Sequence, residues 1–217
     1  MRPAPANWSF RENISPSALS VTLDGKHTAI GTRNGLVFLN SRGRLLWFNK
    51  KIRRINDVSV STRSGKIAVG SSQKVLYLVN VKGESLWHRE LESSVLATSI
   101  NSRGNLIAVG TDEGKLILYD GKGIKLWEVH LSNSDFSVNS VDITSDGEFI
   151  VAGTDYSHLY MYDVKGNVLW SKETDSEVLK TCISANGDYL GYLTTVSYTH
   201  LRAHETVLDL VCRLLLE

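Results

Sequence analysis

The stretch SVLATSINSRGNLIAVGTDEGKLILYDGKGIKLWEVH (94–130) decides the fold. It divides into SVLATSI (94–100), NLIAVG (105–110), KLILYD (115–120) and IKLWEVH (124–130), joined by NSRG, TDEG and GKG. β-Branched and other apolar residues fill the four runs, while Gly, Asn, Asp and Ser fill the joints, the pattern of short strands linked by tight turns. The second run is apolar almost throughout instead of alternating, so both of its faces are expected to be covered. No segment before residue 196 carries a helical apolar stripe.

The same unit recurs on both sides of this stretch. Tryptophans stand at Trp8, Trp47, Trp87, Trp127 and Trp170, and the last four each follow a glycine by four residues: Gly43, Gly83, Gly123 and Gly166. A second set of glycines keeps the same period, with Gly25 and Gly31 followed by Gly65 and Gly70, Gly104 and Gly110, then Gly147 and Gly153. A four-stranded antiparallel sheet, covered on both faces and repeated about every forty residues, is a β-propeller blade. The expected fold is therefore all-β, an incomplete ring of four blades and part of a fifth. The expected bounds are an orphan strand at 7–12, blades at about 17–50, 55–90, 95–130 and 138–173, and a partial blade at 178–194. The c–d turn glycine supplies a positive φ, and the indole four residues later is expected to pack against the neighbouring blade. All five tryptophans are thus structural in this reading, the alternative being ligand stacking.

Bulk composition narrows the function classes. The chain has 217 residues, 42% hydrophobic and 22% charged, with a net charge of +1, so no global attraction to nucleic acid or membrane follows. The charge is uneven, because residues 1–55 hold ten Lys/Arg against two Asp/Glu, whereas residues 56–195 hold twelve against eighteen. Two cysteines, Cys182 and Cys212, are too few for a disulfide framework or a structural metal site. The N-terminus lacks the apolar core of a secretory signal, so the expected location is cytoplasmic, or extracytoplasmic if the true start lies upstream.

The units resemble β-propeller repeats of the WD-repeat and quinoprotein-like superfamily. LYDGKGIKLW in blade three and MYDVKGNVLW in blade four are similar to the quinoprotein tryptophan-docking motif, with Asp120 and Asp163 before the turn; Asn40 and Asn80 stand there in blades one and two. LDGK (23–26) and SDGE (145–148) resemble WD-repeat turns, although the Trp-Asp dipeptide is absent. The resemblance implies that a catalytic quinoprotein would need an adjacent cysteine pair and a set of Ca²⁺ ligands. Cys182 has no neighbour and no acidic cluster has ligand spacing, so no cofactor, metal or catalytic residue is expected. In rings of this kind an orphan strand such as that carrying Trp8 can complete the last blade.

The repeat stops after YLGYLTT (189–195): where the second strand of blade five should carry a glycine, Leu193 stands. Residues 196–217 resemble a translated transposase-type sequencing adapter, whose bases read in frame as VSYTHLRAHET (196–206) and again as LVCRLLLE (210–217). This implies a non-native tail, with the propeller expected to continue past Thr194. Leu208, Leu210, Val211 and Leu214 to Leu216 could line one face of a helix, but a membrane anchor is not expected; His200, His204 and Cys212 receive no ligand role.

Propellers bind through loops at the ends of the ring. If the d–a and b–c connections share one end, Lys50, Lys51, Arg53 and Arg54 with Arg33 make a basic patch there. Asp112, Glu113, Asp135 and Asp155 make an acidic sector, with Phe136 and Tyr156 as aromatic candidates beside it. The functional reading is charge-complementary recognition of a protein, a peptide or an anionic partner; the plain alternative is a set of solvated loops. Nucleic acid is not expected, because the basic run lacks aromatic interleaving. His27, His88, His130 and His158 read as strand-end or turn residues. The expected function is a noncatalytic protein-interaction scaffold, the alternatives being a quinoprotein-like enzyme or an extracytoplasmic assembly factor whose active or binding blades are missing.

Overall fold

The computed structural model describes residues 15–22, 24–131, 136–195 and 214–215. Among these the chain is all-β, in five antiparallel sheets. Blade one holds β1 (Pro16–Val21), β2 (His27–Thr32), β3 (Leu36–Asn40) and β4 (Leu45–Asn49); blade two holds β5 (Ile55–Val60), β6 (Ile67–Ser71), β7 (Val75–Val79) and β8 (Ser85–Glu90). Blade three holds β9 (Val95–Ile100), β10 (Leu106–Thr111), β11 (Lys115–Asp120) and β12 (Lys125–His130); blade four holds β13 (Val138–Ile143), β14 (Phe149–Thr154), β15 (His158–Asp163) and β16 (Val168–Glu173). Each is a simple up-and-down meander. Blade five has β17 (Val178–Ile183) and β18 (Tyr189–Thr194), and Leu214–Leu215 pairs with Leu190 and Tyr189 as a short β19. Two residues of the stretch read as a non-native tail thus take up a strand position, not a helical one. The remainder of that tail, Leu23, Asp135, Trp8 and the orphan strand at 7–12 lie outside the described residues.

The cores lie between sheets. Leu36 and Phe38 of blade one pack with Ile55, Val58 and Ile67 of blade two. Leu76 and Leu78 of blade two pack with Val95, Ile107 and Val109 of blade three, and Leu116 and Leu118 continue the series with Val138 and Ile150. Consecutive innermost strands touch in the order β1, β5, β9, β13, β17, which makes an open arc of stacked blades among the described residues. The second strand of each complete blade is buried almost along its length, because a sheet covers each of its faces, whereas the outermost strands β8 and β12 alternate exposed and half-buried residues.

The strand-b glycines mark where adjacent blades come closest. A Cβ on Gly31 would lie 2.5 Å from Ile55, one on Gly70 2.4 Å from Val95, and one on Gly110 2.6 Å from Val138. Each glycine therefore opens a slot for the first β-branched residue of the next blade's inner strand. Leu193 occupies the equivalent position in blade five.

The inner strands are also tied by polar side chains. Val60 N donates to Ser20 Oγ at 3.1 Å, Ile100 N to Ser59 Oγ at 3.2 Å, and Ile183 N to Asp142 Oδ2 at 2.8 Å. One pleat away, Thr98 N donates to Asp57 Oδ2 at 2.7 Å and Thr181 N to Ser140 Oγ at 2.9 Å. Each inner strand bulges near its start, and two bulged residues reach toward the following blade: Asn56 Nδ2 donates to Val95 O, and Asn139 Nδ2 to Glu177 Oε1. The backbone N–H groups between blades are thus satisfied without a continuous ladder.

Asp57 and Asp142 are the charged members of this belt. Desolvation, the largest influence on each, pushes both carboxyls above the ordinary 3.8, against opposing hydrogen bonds and the Lys180 charge. A raised folded-state value means that, from 3.8 up to that value, the folded protein holds protons the unfolded chain has released. Stability from these groups is present at low pH and is lost as pH rises through that window. Asp57→Asn keeps an acceptor for Thr98 N–H and removes the charge. Urea melts are expected to show the Asn variant gaining on the wild type between pH 3.5 and pH 7; a pH-independent or reversed difference contradicts this.

Candidate functional site: the loop face

The two sets of connections expected to carry function do share one end. Arg54 N donates to Arg33 O at 2.9 Å, joining the connection between blades one and two to the b–c loop of blade one. Ser72 N donates to Arg54 O, Asp112 N to Ser94 O, Asp155 N to Ser137 O and Thr195 N to Glu177 O, one bond in each later blade. Ser94 Oγ to Ser72 O and Ser137 Oγ to Asp112 O link neighbouring blades on the same face. The loops form a hydrogen-bonded belt, so their side chains stand on a fixed frame. The opposite end is chained separately through the a–b turns, with Arg63 N donating to Ser102 O, Ser102 N to Ser145 O and Ser145 N to Ala185 O.

The basic run divides between two clefts. Arg33 and Arg54 border a cleft of about 470 Å³ with Pro16, Ser17, Asn56 and Ser72, where the innermost strands β1 and β5 begin. Lys50 and Lys51 border another, of about 730 Å³, with Trp47, Phe48, Tyr77 and His88 on the outer side. Lys50 Nζ lies 5.5 Å from the Phe48 ring centroid, and Arg53 Nε donates to Lys50 O at 3.0 Å. The sequence pattern placed all five in one patch; the turn at Lys51, whose N–H bonds Asn49 Oδ1, separates the lysines from Arg33 and Arg54.

Asp112, Glu113 and Asp155 stand together at blades three and four. Asp112 Oδ1 accepts from Ser94 N at 2.8 Å and Asp155 Oδ1 from Ser137 N at 2.9 Å, so both carboxylates cap the belt as well as facing solvent. Phe136 is half-buried, its ring stacked on Tyr156 with centroids 3.9 Å apart. It tucks against a neighbouring loop and does not project as a free anchor. Tyr156 is 56% exposed and continues into a stack with His158, Tyr160 and Tyr162, ending on Trp127. This file of rings had a signal in sequence, the alternation of aromatic residues in SHLYMYD (157–163), but the contact to Phe136 joins two loops and was not visible there.

A smaller cleft of about 220 Å³ lies beside β8 and β11, where Lys115 pairs with Glu92 and Glu128, and Lys125 with Glu128. Its charges offset one another. Among the described residues no group of three His, Cys, Asp or Glu side chains is placed to hold a metal ion. His27 stacks on Phe38 and His88 lies against Tyr77, structural placements at strand positions.

The tryptophans point to the following blade. Trp47 Nε1 donates to Val81 O at 2.7 Å, Trp87 Nε1 to Gly121 O at 3.1 Å and Trp127 Nε1 to Val164 O at 2.9 Å. A Cβ on Gly83 would lie 2.9 Å from the Trp47 ring, and Gly83 has φ +83. The turn glycine therefore serves twice: it turns its own hairpin and makes a flat seat for the indole of the preceding blade. Asn40 and Asn80 fill the role of Asp120 and Asp163 here. Asn80 Oδ1 accepts from Lys82 N and Glu84 N, as Asp120 Oδ1 does from Lys122 N and Ile124 N. An amide oxygen closes this turn as well as a carboxylate does.

Solved structures of similar shape include hydrazine synthase of Kuenenia stuttgartiensis, with a TM-score of 0.75 at 15% identity over 94% of this chain and 62% of that one. A chain of the mitotic checkpoint complex aligns with a TM-score of 0.75 at 14% identity over 87% of this chain and 60% of that one. The chain thus spans about three fifths of each of these proteins, and the likeness shows the fold. No curated protein matches the sequence. The family model described as outer membrane protein assembly factor BamB matches residues 33–191, from the first b–c loop into β18. With the docked indoles, the repeating glycine seats and a match over most of its length, the chain belongs to this BamB-type family of quinoprotein-like propeller repeats.

Proposed function

We propose that the protein is a noncatalytic interaction platform whose output is binding through the loop face. The observation that carries this reading is the hydrogen-bonded belt of loops at one end of the arc, with arginines at blades one and two and carboxylates at blades three and four. A rigid frame lowers the ordering cost of association, and separated charge of both signs orients a partner. The family description, an assembly factor, favours a role in bringing other proteins together, and one structural neighbour is part of a multiprotein complex. A quinoprotein-like enzyme is the competing reading, to which the hydrazine synthase likeness lends the fold alone. The donor set of the described residues does not suit a quinone held with a divalent cation, since Cys182 stands alone and no ligand cluster is formed.

A photoreactive amino acid placed at Gln73 or Glu113 on the loop face, and at Lys122 or Lys165 on the opposite turns, tests the platform in cells. Discrete protein adducts are expected from the loop face and not from the turns. Equal adducts from both faces, none from either, or stoichiometric pyrroloquinoline quinone binding by the purified protein would overturn it.

A further inference from the structure

Comparison of the repeats with one another singles out two residues. At the second position of the b–c loop, blades three and four place Asp112 and Asp155, each capping the residue just before its own inner strand. Blade one places Arg33 there. At the belt position before the inner strand, later blades place Ser94, Ser137 and Glu177, whereas blade two places Arg54. Both departures reverse or add charge, and the fold brings them side by side through the Arg54 N to Arg33 O bond.

Arg54 is held in the left-handed region at φ +50, where side-chain-bearing residues are uncommon. Its carbonyl accepts from Ser72 N at 2.9 Å and from Ser71 Oγ at 3.1 Å, so the surrounding loop enforces the conformation. Strain of this kind gathers at binding and switch positions. Neither guanidinium forms an ion pair or a side-chain hydrogen bond with a described residue, although every acidic side chain of blades two to four is within the described set except Asp135. Two exposed guanidiniums with no partner among the described residues, carried on a hydrogen-bonded backbone, therefore border a cleft of about 470 Å³ that is also lined by Ser17, Asn56 and Ser72.

We infer that the cleft between Arg33 and Arg54 receives carboxylate side chains of an Asp/Glu-rich segment of a partner protein. The inference rests on the platform reading and names its partner chemistry. Guanidinium forks match carboxylates in paired geometry. Charge complementarity also sets the direction of the segment: the carboxylates at Asp112, Glu113 and Asp155 repel it from blades three and four, so it lies across blades one and two.

Fluorescence anisotropy with a fluorescein-labelled oligoglutamate peptide and the full chain reads this directly. The wild type is expected to bind, with affinity falling as salt rises. Arg33→Asp with Arg54→Ser, the residues of the sister repeats, is expected to weaken binding about tenfold or more. Lys122→Glu with Lys165→Glu, an equal or larger change of net charge on the opposite turns, is expected to leave it within about twofold. Arg54→Gly separates binding from folding: it relieves the left-handed backbone, so the melting temperature should hold or rise while peptide affinity drops. Equal losses from both double variants, undiminished binding in Arg54→Gly, or binding of inorganic phosphate but not of the peptide would overturn the proposal. Loop-face crosslinks that persist unchanged in the Arg33/Arg54 variant refute this partner chemistry and leave the platform standing; their absence in the wild type removes both.

Discussion

Trp87→Ala is expected to destabilise the protein by about 3 kcal/mol, toward the low end for aromatic truncation because the indole is only half-buried. Three contacts are lost together. The ring leaves its seat on Gly123, the Nε1–H bond to Gly121 O at 3.1 Å disappears, and Arg89, whose guanidinium lies 5.5 Å from the ring centroid, loses its platform. Trp87→Phe separates the hydrogen bond from the packing and is expected to cost about 1 kcal/mol. Trp170 gives the contrasting result. Its buried Nε1 has no hydrogen-bond partner among the described residues, so Trp170→Phe removes an unsatisfied donor and is expected to be neutral or mildly stabilising. Chemical denaturation of the three variants checks this, and equal costs for the two Phe substitutions would contradict the docking account.

Gly110→Val is expected to be at least as damaging, about 3 kcal/mol or more, for the opposite reason. A Cβ at Gly110 would lie 2.6 Å from Val138 Cγ1, 2.8 Å from Val138 O and 2.9 Å from Val138 Cβ. The added atoms have nowhere to go, because both residues are buried in the junction of blades three and four. Shrinking the partner should help only in part. Val138→Ala removes the Cγ1 clash but leaves the carbonyl and Cβ contacts, so Gly110→Ala with Val138→Ala should recover some, not all, of the loss from Gly110→Ala alone. Full additivity in that double-mutant cycle would mean the two positions do not touch.

Runs such as NLIAVG disclosed buried second strands directly, because covering both faces forces both sets of side chains to be apolar. The turn glycines were half legible. Positive φ is a local property and could be read at Gly83, but its service as a seat for Trp47 involves a residue one repeat earlier. The strand-b glycines recurred plainly, yet their cause, the β-branched side chain of the next blade, is a contact across sheets. Asp57 and Asp142 went unnoticed because a polar residue in a short strand looks like ordinary alternation; only the stacked arc shows that their partners are N–H groups of a neighbouring strand. The candidate site was legible as charge and not as geometry. Arg33 belonged with the basic run, but nothing in NKKIRRI (49–55) told Arg54, which meets it, from Lys50 and Lys51, which face another cleft.

Each indole docks on the turn of the next blade, and this contact is what stacks the blades as a propeller. Nuclear Overhauser contacts from the tryptophan rings measure this most directly. Cross-peaks are expected from the indole of Trp47 to the α-protons of Gly83, from Trp87 to Gly123 and from Trp127 to Gly166. Contacts from each indole to the glycine of its own hairpin turn, with none to the following repeat, would contradict it.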